Sequence, residues 1–573
     1  MMGMTRRRWI TLGALGLAAA AGGGYLWSRQ PGPRPRARFA QKPGKKLNIL
    51  LVVSDQEFSW DLYPKGFIDK HTPARTWLRE NGVTFTRAQT PTPICSTARG
   101  VIYTGAHSPA NMLWDNVPLP YASPLRPDIP TLGTMMLDAG YITGYAGKWH
   151  LSMLDEQDPA KSSANSNAEI KSYGFVDTEA SSELDGPHMG YLYDKRTVDQ
   201  ALRFVDRNKG GDKPWFQAVN LVNPHDIMYY TAGDEMTKSR VIMFPDKTVR
   251  PPEEPLYQED LGYELTENYG PATFGKRPDA VTEFGKTLSG SLGTMPYDNA
   301  DVGHEMQNYY WNCTRDCDRH LMRLIEGLRS SGELERTVIV FTSDHGEILG
   351  THGLRGKGTS PIRESVDVPL TIVHPDGARG ISNDALVTHV DLAPTLLAFA
   401  GIGEEEVKEQ LPSVIGRSYA GLIDVPTGVA PRGEDGILYH WTSFAYLNHQ
   451  SLARFGEAVK KNPVSKTYDL ASMLRENTWK RGLMRGSSNG KYKFARYFNA
   501  HEHERPTTWE ELNRSNDFEL YDLINDPGET TNLAVDAEAH KDVIMAMNIL
   551  TNKLAAAEIG PDKGEHMPIF ARL

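Results

Sequence analysis

The sequence predicts an α/β fold, with a large mixed, mostly parallel sheet between helices and a smaller C-terminal α+β domain. Three observations carry this. Residues 47–53, 214–222 and 337–342 are largely apolar runs of strand length, as in strands buried on both faces. Helical segments lie around 72–81, 131–139, 194–207 and 302–330, so strand and helix alternate. Beyond about residue 425 the chain changes character, and 478–498 shows strand-like alternation with many Arg, Lys and Tyr. The expected division is an export signal or anchor at 1–27, a basic Pro-rich linker at 28–46, a catalytic α/β domain at 47–424 and the smaller domain at 425–573.

Composition narrows the partners. Residues 1–46 hold seven Arg, three Lys and no acid, so the net charge of −10 divides into +10 there and −20 elsewhere. An acidic body argues against nucleic acid. An anionic substrate would then need a local cluster of cations. Three cysteines in 573 residues exclude a disulfide framework. Cys313 and Cys317, four apart on one helix, read as unpaired core thiols, which leaves Cys95 as the odd one.

Thr5-Arg6-Arg7-Arg8-Trp9-Ile10 precedes a run rich in Ala, Leu and Gly that reaches about Leu26. This reads as a twin-arginine export signal, cleaved or kept as an anchor, and places the protein in the periplasm or outside the cell. Pro31 to Lys46 reads as linker with nothing to pack.

From residue 47 onward, chemistry gathers at strand ends, where ligands bind in open α/β sheets. The first run ends in Ser54-Asp55-Gln56, whose side-chain oxygens suit a hard cation. Next comes Pro93-Ile94-Cys95-Ser96-Thr97-Ala98-Arg99, then a short helix stopped by Gly105. Cys95 falls at the N-terminus of that helix, where free N–H groups favour negative charge, and Arg99 lies one turn along the same face. A potential nucleophile, an arginine and an anion-friendly helix end point to a sulfate or phosphate ester.

The strand near 141–146 delivers Gly147-Lys148-Trp149-His150, and alternation on extended chain would point Lys148 and His150 the same way. Residues 214–222 deliver Asn223-Pro224-His225. Residues 227–300 show no sustained period and read as long surface loops. The run at 337–342 ends in Ser343-Asp344-His345-Gly346-Glu347, with Lys357 beyond it. Asp-His after one core strand repeats Asp-Gln after another, and two such pairs can converge on one cation. Tyr439-His440-Trp441 and 501–505 read as the outer wall of a substrate site.

In this number and order the motifs resemble type I sulfatases of the alkaline phosphatase superfamily, from Asn48 to about Ala534. Asn223-Pro224-His225, His389-Val390-Asp391-Leu392-Ala393-Pro394-Thr395 and Leu520-Tyr521-Asp522-Leu523 belong to the same likeness. The resemblance implies that Cys95 is oxidised to formylglycine by a formylglycine-generating enzyme, and that the hydrated aldehyde is the nucleophile. Asp55, Gln56, Asp344 and His345, with the converted Cys95, match the positions around one divalent cation, usually Ca²⁺. Arg99, Lys148, His150, His225 and Lys357 match the sulfate-binding and proton-transfer positions. The implied substrate is a small-molecule or oligosaccharide sulfate ester.

Two departures stand out. The family's modification signal carries Pro, sometimes Ala, where this chain has Thr97. Gln56 and His345 replace a more common Asp and Asn, as in the branch with choline sulfatases and phosphonate monoester hydrolases; the imidazole suits Mn²⁺ better than Ca²⁺. The alternatives are therefore a phosphonate monoester or phosphodiester hydrolase, and a non-catalytic anion binder should Cys95 stay a thiol.

Overall fold

The computed structural model describes residues 36–39, 46–117, 122–154, 163–179, 184–240, 248–270, 277–442, 448–450, 454, 477–502 and 505–562. Strand β1 (Asn48–Asp55) is buried along its whole length. Its side chains alternate between two cores: Ile49, Leu51 and Val53 join one apolar cluster, Leu50 and Val52 the other. That two-sided burial is why the run is almost uniformly apolar.

The other strands of the main sheet are β2 (Val83–Gln89), β3 (Ile142–Gly147), β4 (Asp177–Thr178), β5 (Trp215–Pro224), β6 (Thr337–Ser343), β7 (Leu370–Val373) and β8 (Ile381–Thr388). Their order is β4-β3-β5-β1-β6-β7-β2-β8. β1 runs parallel to β5 and β6, whereas β7 is antiparallel to both of its neighbours. The helices Pro73–Asn81, Met189–Asn208 and Ala300–Ser331 pack on the face of Leu50 and Val52. The helices Cys95–Thr104, Leu132–Asp138 and Leu392–Phe399 pack on the other. Cys313 and Cys317 are free, buried thiols in the long helix, as expected.

A second, antiparallel sheet holds β9 (Ile437–Trp441), β10 (Leu483–Ser488), β11 (Tyr492–Phe498) and β12 (Asp517–Asp522), in the order β12-β11-β10-β9. The helix Lys541–Glu558 covers one face through Ile544, Met547 and Leu554. Tyr439, Trp441 and Tyr497 on the opposite face join the cluster of Ile94 and Phe284, which seals the small sheet to the large domain.

Three expectations fail locally. Residues 36–39 are not idle linker: Ala37 and Phe39 are buried in the main core, and the Ala37 N–H donates to Asp138 Oδ2 at 2.9 Å. Residues 227–300 are not all loop, since helices form at Gly233–Ser239, Pro255–Gln258 and Asp279–Leu292. Phe284 and Leu288 of the last helix lie against Gly358 and Gly356, so tertiary packing settles a segment without local signal. Tyr439, His440 and Trp441 are buried rather than an outer wall, because β9 is walled in on both faces. The twin-arginine stretch lies outside the described residues. Among the described residues no helix is long and apolar enough to cross a membrane.

Candidate active site

The register of the central strands builds the site. Ser54 of β1 pairs with Ser343 of β6, so the next residues, Asp55 and Asp344, emerge side by side. Gln56 turns away from the strand at φ 70°, in the left-handed region that non-glycine residues avoid. Its N–H donates to Asp344 Oδ1 at 3.1 Å, and its carbonyl accepts the Tyr310 hydroxyl at 2.9 Å. The strain is thus held by two buried hydrogen bonds.

On the other flank, β3 ends at Gly147, φ 93°, where a Cβ would stand 1.9 Å from the Asn220 carbonyl oxygen. Only glycine fits there, and the turn delivers Lys148 to Asp55, with Nζ 2.8 Å from Oδ2. His150 follows at φ 57°, so the segment is not extended. Lys148 and His150 both reach the site, yet the alternation offered as the reason does not hold. β5 ends at Pro224, opposite Asp55, and brings in His225.

Cys95 opens its helix as expected, after extended Ile94, and Gly105 closes it at φ 65°. The thiol is 1 % exposed. Its Sγ lies 3.0 Å from Lys357 Nζ, 3.3 Å from His345 Nε2 and 3.9 Å from Asp55 Oδ1, and His150 also bonds to it. Lys357 Nζ donates to Gln56 Oε1 at 2.7 Å. Arg99, fully buried, sits between the acids, with Nη2 3.0 Å from Asp55 Oδ2 and Nε 3.0 Å from Asp344 Oδ2. Nη1 donates to Asn220 Oδ1 at 3.0 Å. Asp55, Gln56, Cys95, Arg99, Lys148, His150, Asp344, His345 and Lys357 thus meet in one buried cluster. His225 joins through its charge interaction with Asp55.

The electrostatics follow from the geometry. Burial pushes the Cys95 thiol up, but Lys357, Lys148 and His345 outweigh it and hold it well below the usual thiol range. Burial and the Cys95 charge likewise raise Asp55, while Lys148, His225 and Arg99 pull it below the carboxylate range. Asp344 goes the other way: burial and the neighbouring Asp55 charge push it up. Burial would lower His345, and Asp344 raises it instead. Two buried acids that oppose each other's ionisation suit a cation shared between them. Ligand atoms of Asp55, Cys95, Asp344 and His345 all lie within 4.8 Å of one another. Gln56 Oε1 adds an amide oxygen on the Lys357 side. The donor set therefore fits a divalent cation.

Residues outside the expected set hold it in place. Glu347 accepts the Gln56 amide N–H through Oε2, and its Oε1 takes the N–H groups of Leu349 at 2.9 Å and Gly356 at 2.7 Å. It thereby ties the Gln56 side chain to the loop that carries Lys357. Asn220 receives Arg99 and, at 2.9 Å, the Tyr103 hydroxyl. A polar residue in the middle of an apolar strand was the available signal for Asn220. Behind the cluster, His389 Nε2 lies 3.2 Å from Thr342 Oγ1. Burial, then His345, lowers the pKa of this histidine to about 3.

The unfolded chain takes a proton on His389 below about pH 6.5. The folded protein does not until about pH 3, so stability is complete above 6.5 and is lost as pH falls through that window. Between pH 7 and pH 5 this one group is expected to cost about 2 kcal/mol. His389→Gln should flatten that part of the acid limb, measured as urea unfolding at both pH values. Equal losses in variant and wild type would refute the assignment.

Comparison with known proteins gives the same reading. The family model described as Sulfatase matches residues 47–402, more than half of the chain. An uncharacterized sulfatase, YidJ, of Escherichia coli (strain K12) is 26 % identical over 380 residues, spanning 63 % of this chain and 69 % of that protein. An N-acetylglucosamine-6-O-sulfatase of Bacteroides thetaiotaomicron is 25 % identical over 400 residues, 62 % of this chain and 68 % of that one. Among solved structures, a phosphonate monoester hydrolase from Silicibacter pomeroyi superposes with a TM-score of 0.60 at 18 % identity, covering 91 % of this chain and 97 % of its own. The opposed acids, the cations around Cys95 and the match over the catalytic sheet agree, and the chain belongs to the sulfatase family.

Proposed function

We propose that the protein hydrolyses an organic sulfate ester, a sulfated sugar foremost, at position 95 after oxidation of Cys95 to formylglycine. The observation that supports this most directly is the meeting of Cys95 Sγ with Lys357 at 3.0 Å and His345 at 3.3 Å, beside Asp55 and Asp344. Sγ stands where an oxygen of the converted side chain would lie. Asp55, Gln56, Asp344 and His345 would hold one divalent cation, which lowers the pKa of a hydroxyl on the hydrated aldehyde and balances charge on the sulfuryl group. Calcium comes first because three of these four donors are oxygens, and the imidazole is the argument for manganese.

The chain's own residues do the rest. Lys148 and Lys357 stabilise negative charge spreading over the sulfuryl oxygens, together with the helix N-terminus at Cys95. Arg99 fixes the two carboxylates and leaves neither free to turn. His225 gives its proton to the departing alcohol oxygen, with Lys357 in support. His150, on the thiol itself, takes a proton from position 95 when sulfate is released. A formylglycine-generating enzyme for maturation and the twin-arginine machinery for export to the periplasm complete the proposal, on the strength of Cys95 and of Arg6-Arg7-Arg8.

One preparation tests it. The peptide bearing Cys95 should be lighter than its sequence mass by about 18 Da. On the same sample, kcat/KM for an aryl sulfate should exceed that for the matched phosphodiester. A phosphodiester value far above the sulfate value would favour the phosphonate monoester or phosphodiester hydrolase, the reading supported by the Gln56 and His345 pair. An unshifted peptide would defeat the aldehyde route and leave a non-catalytic anion binder.

A further inference from the structure

One carboxylate near the catalytic cations belongs neither to the cation site nor to the proton transfers above. Asp185 lies in the short stretch before the helix Met189–Asn208. That helix start is anchored to the site: the N–H groups of Gly190 and Tyr191 donate to buried Asp226 at 3.0 and 2.9 Å, and Asp226 adjoins His225. Leu184 and His188, either side of Asp185, hold φ values of 52° and 62°, so the loop is bent by residues that resist the bend.

The Tyr229 hydroxyl donates to Asp185 Oδ1 at 2.5 Å, and the Tyr229 ring stands edge-on to the His225 ring with centroids 5.8 Å apart. Asp185, Tyr229 and His225 therefore stand in a row. Asp185 is exposed to solvent as a residue, yet its carboxylate is enclosed by protein on the scale over which charges act. Burial raises the acid, while Lys148, His225 and His150 outweigh it and keep it ionised. Lys148 and His225 are the groups assigned above to the sulfuryl and alcohol oxygens, and His150 is the one assigned to position 95. No described residue donates to Oδ2.

We propose that Asp185 selects the alcohol half of the substrate: its open oxygen accepts a hydrogen bond from a hydroxyl or ammonium beside the scissile ester. By the same charge it turns away an ester bearing a second anion at that place. This rests on the sulfatase reading of the site. An ionised carboxylate accepts and never donates, so the leaving group must bring the donor. A hydroxyl on a sugar ring or the ammonium of an amino alcohol meets that demand; a neighbouring sulfate or carboxylate does not. The inferred substrate class is a singly sulfated ester with a donor next to the ester oxygen.

Small esters that differ only in the leaving group test this without knowledge of the natural substrate. The set is 2-hydroxyethyl sulfate, 2-aminoethyl sulfate and the disulfate of 1,2-ethanediol. The quantity read is the ratio of kcat/KM, donor-bearing ester over disulfate. The same ratio in Kd is measured by calorimetry on the Cys95→Ala protein, where turnover plays no part. Wild type should favour the donor-bearing esters by roughly tenfold or more, the size of a charge-assisted hydrogen bond. The hydroxyl and ammonium arms show which donor Asp185 takes. Asp185→Asn should shrink the ratio about tenfold and Asp185→Lys should reverse it. A ratio in Asp185→Asn within twofold of wild type would overturn the assignment, since a merely structural role lowers all esters alike. Turnover with an unchanged ratio sinks the Asp185 inference alone. Selective binding with no hydrolysis by wild type sinks the sulfatase reading alone, and esters that neither bind nor react sink both.

Discussion

Cys95→Ala is expected to lower kcat/KM for sulfate esters by roughly 10⁴–10⁶-fold, the scale on which an enzyme loses its covalent nucleophile. Lys357, His345 and His150 all reach this side chain, which is why its loss should be felt by the whole cluster. The substitution removes one buried sulfur and should leave the fold intact, with a far-UV circular dichroism spectrum like that of wild type. It should also abolish the 18 Da deficit of the peptide, tying chemistry and modification to one atom. A variant retaining more than about one hundredth of wild-type activity would show that the nucleophile lies elsewhere.

Arg99→Met is expected to have the largest effect on stability, a loss of about 3–5 kcal/mol in urea unfolding of the cation-free protein. Methionine keeps the apolar stem and removes the guanidinium that now sits 3.0 Å from both Asp55 and Asp344. Lys148 still pairs with Asp55, so Asp344 bears the loss. Its carboxyl is already pushed up by burial and by Asp55, and the variant pushes it further. A proton bound there relieves the repulsion, so the gap to wild type should narrow as pH falls. At one hundred times its Kd a divalent cation stabilises whichever protein binds it by about 2.7 kcal/mol, so the gap narrows only as far as the variant binds it more tightly than wild type. A loss below about 1 kcal/mol would mean that the two acids do not depend on Arg99.

The strands and their polar ends were legible in the sequence because burial on both faces leaves only apolar residues until the strand runs out. Asp55, Asp344 and His225 announce themselves at those breaks. Cys95 and Arg99 were legible through helix spacing and the Gly105 stop. Other features depend on partners far away in the chain. Glu347 acts by accepting the Gln56 amide across 291 positions. Asp185 becomes notable only when Tyr229 and His225 stand beside it. The helix Asp279–Leu292 carries Gly, Ser and Thr within it and is held by contacts to Gly356 and Gly358. Lys148 and His150 were placed correctly by an argument about extended chain that the left-handed turn at His150 removes.

The sheet order has a consequence in time. β1 is flanked by β5 and β6, and its partner across from Ser54 is Ser343. The central strand therefore cannot be fully paired until the chain has been synthesised through residue 343, whereas Cys95 emerges long before. At 5–20 residues per second that interval lasts roughly 10–50 s. Throughout it the segment around Cys95 lacks part of the sheet that later covers it. In the finished fold the helix Cys95–Thr104 is buried along its whole length, packed in part on Leu392–Phe399, so its burial waits for that later segment as well. Any modification that needs an accessible Cys95 therefore falls before these segments close over it.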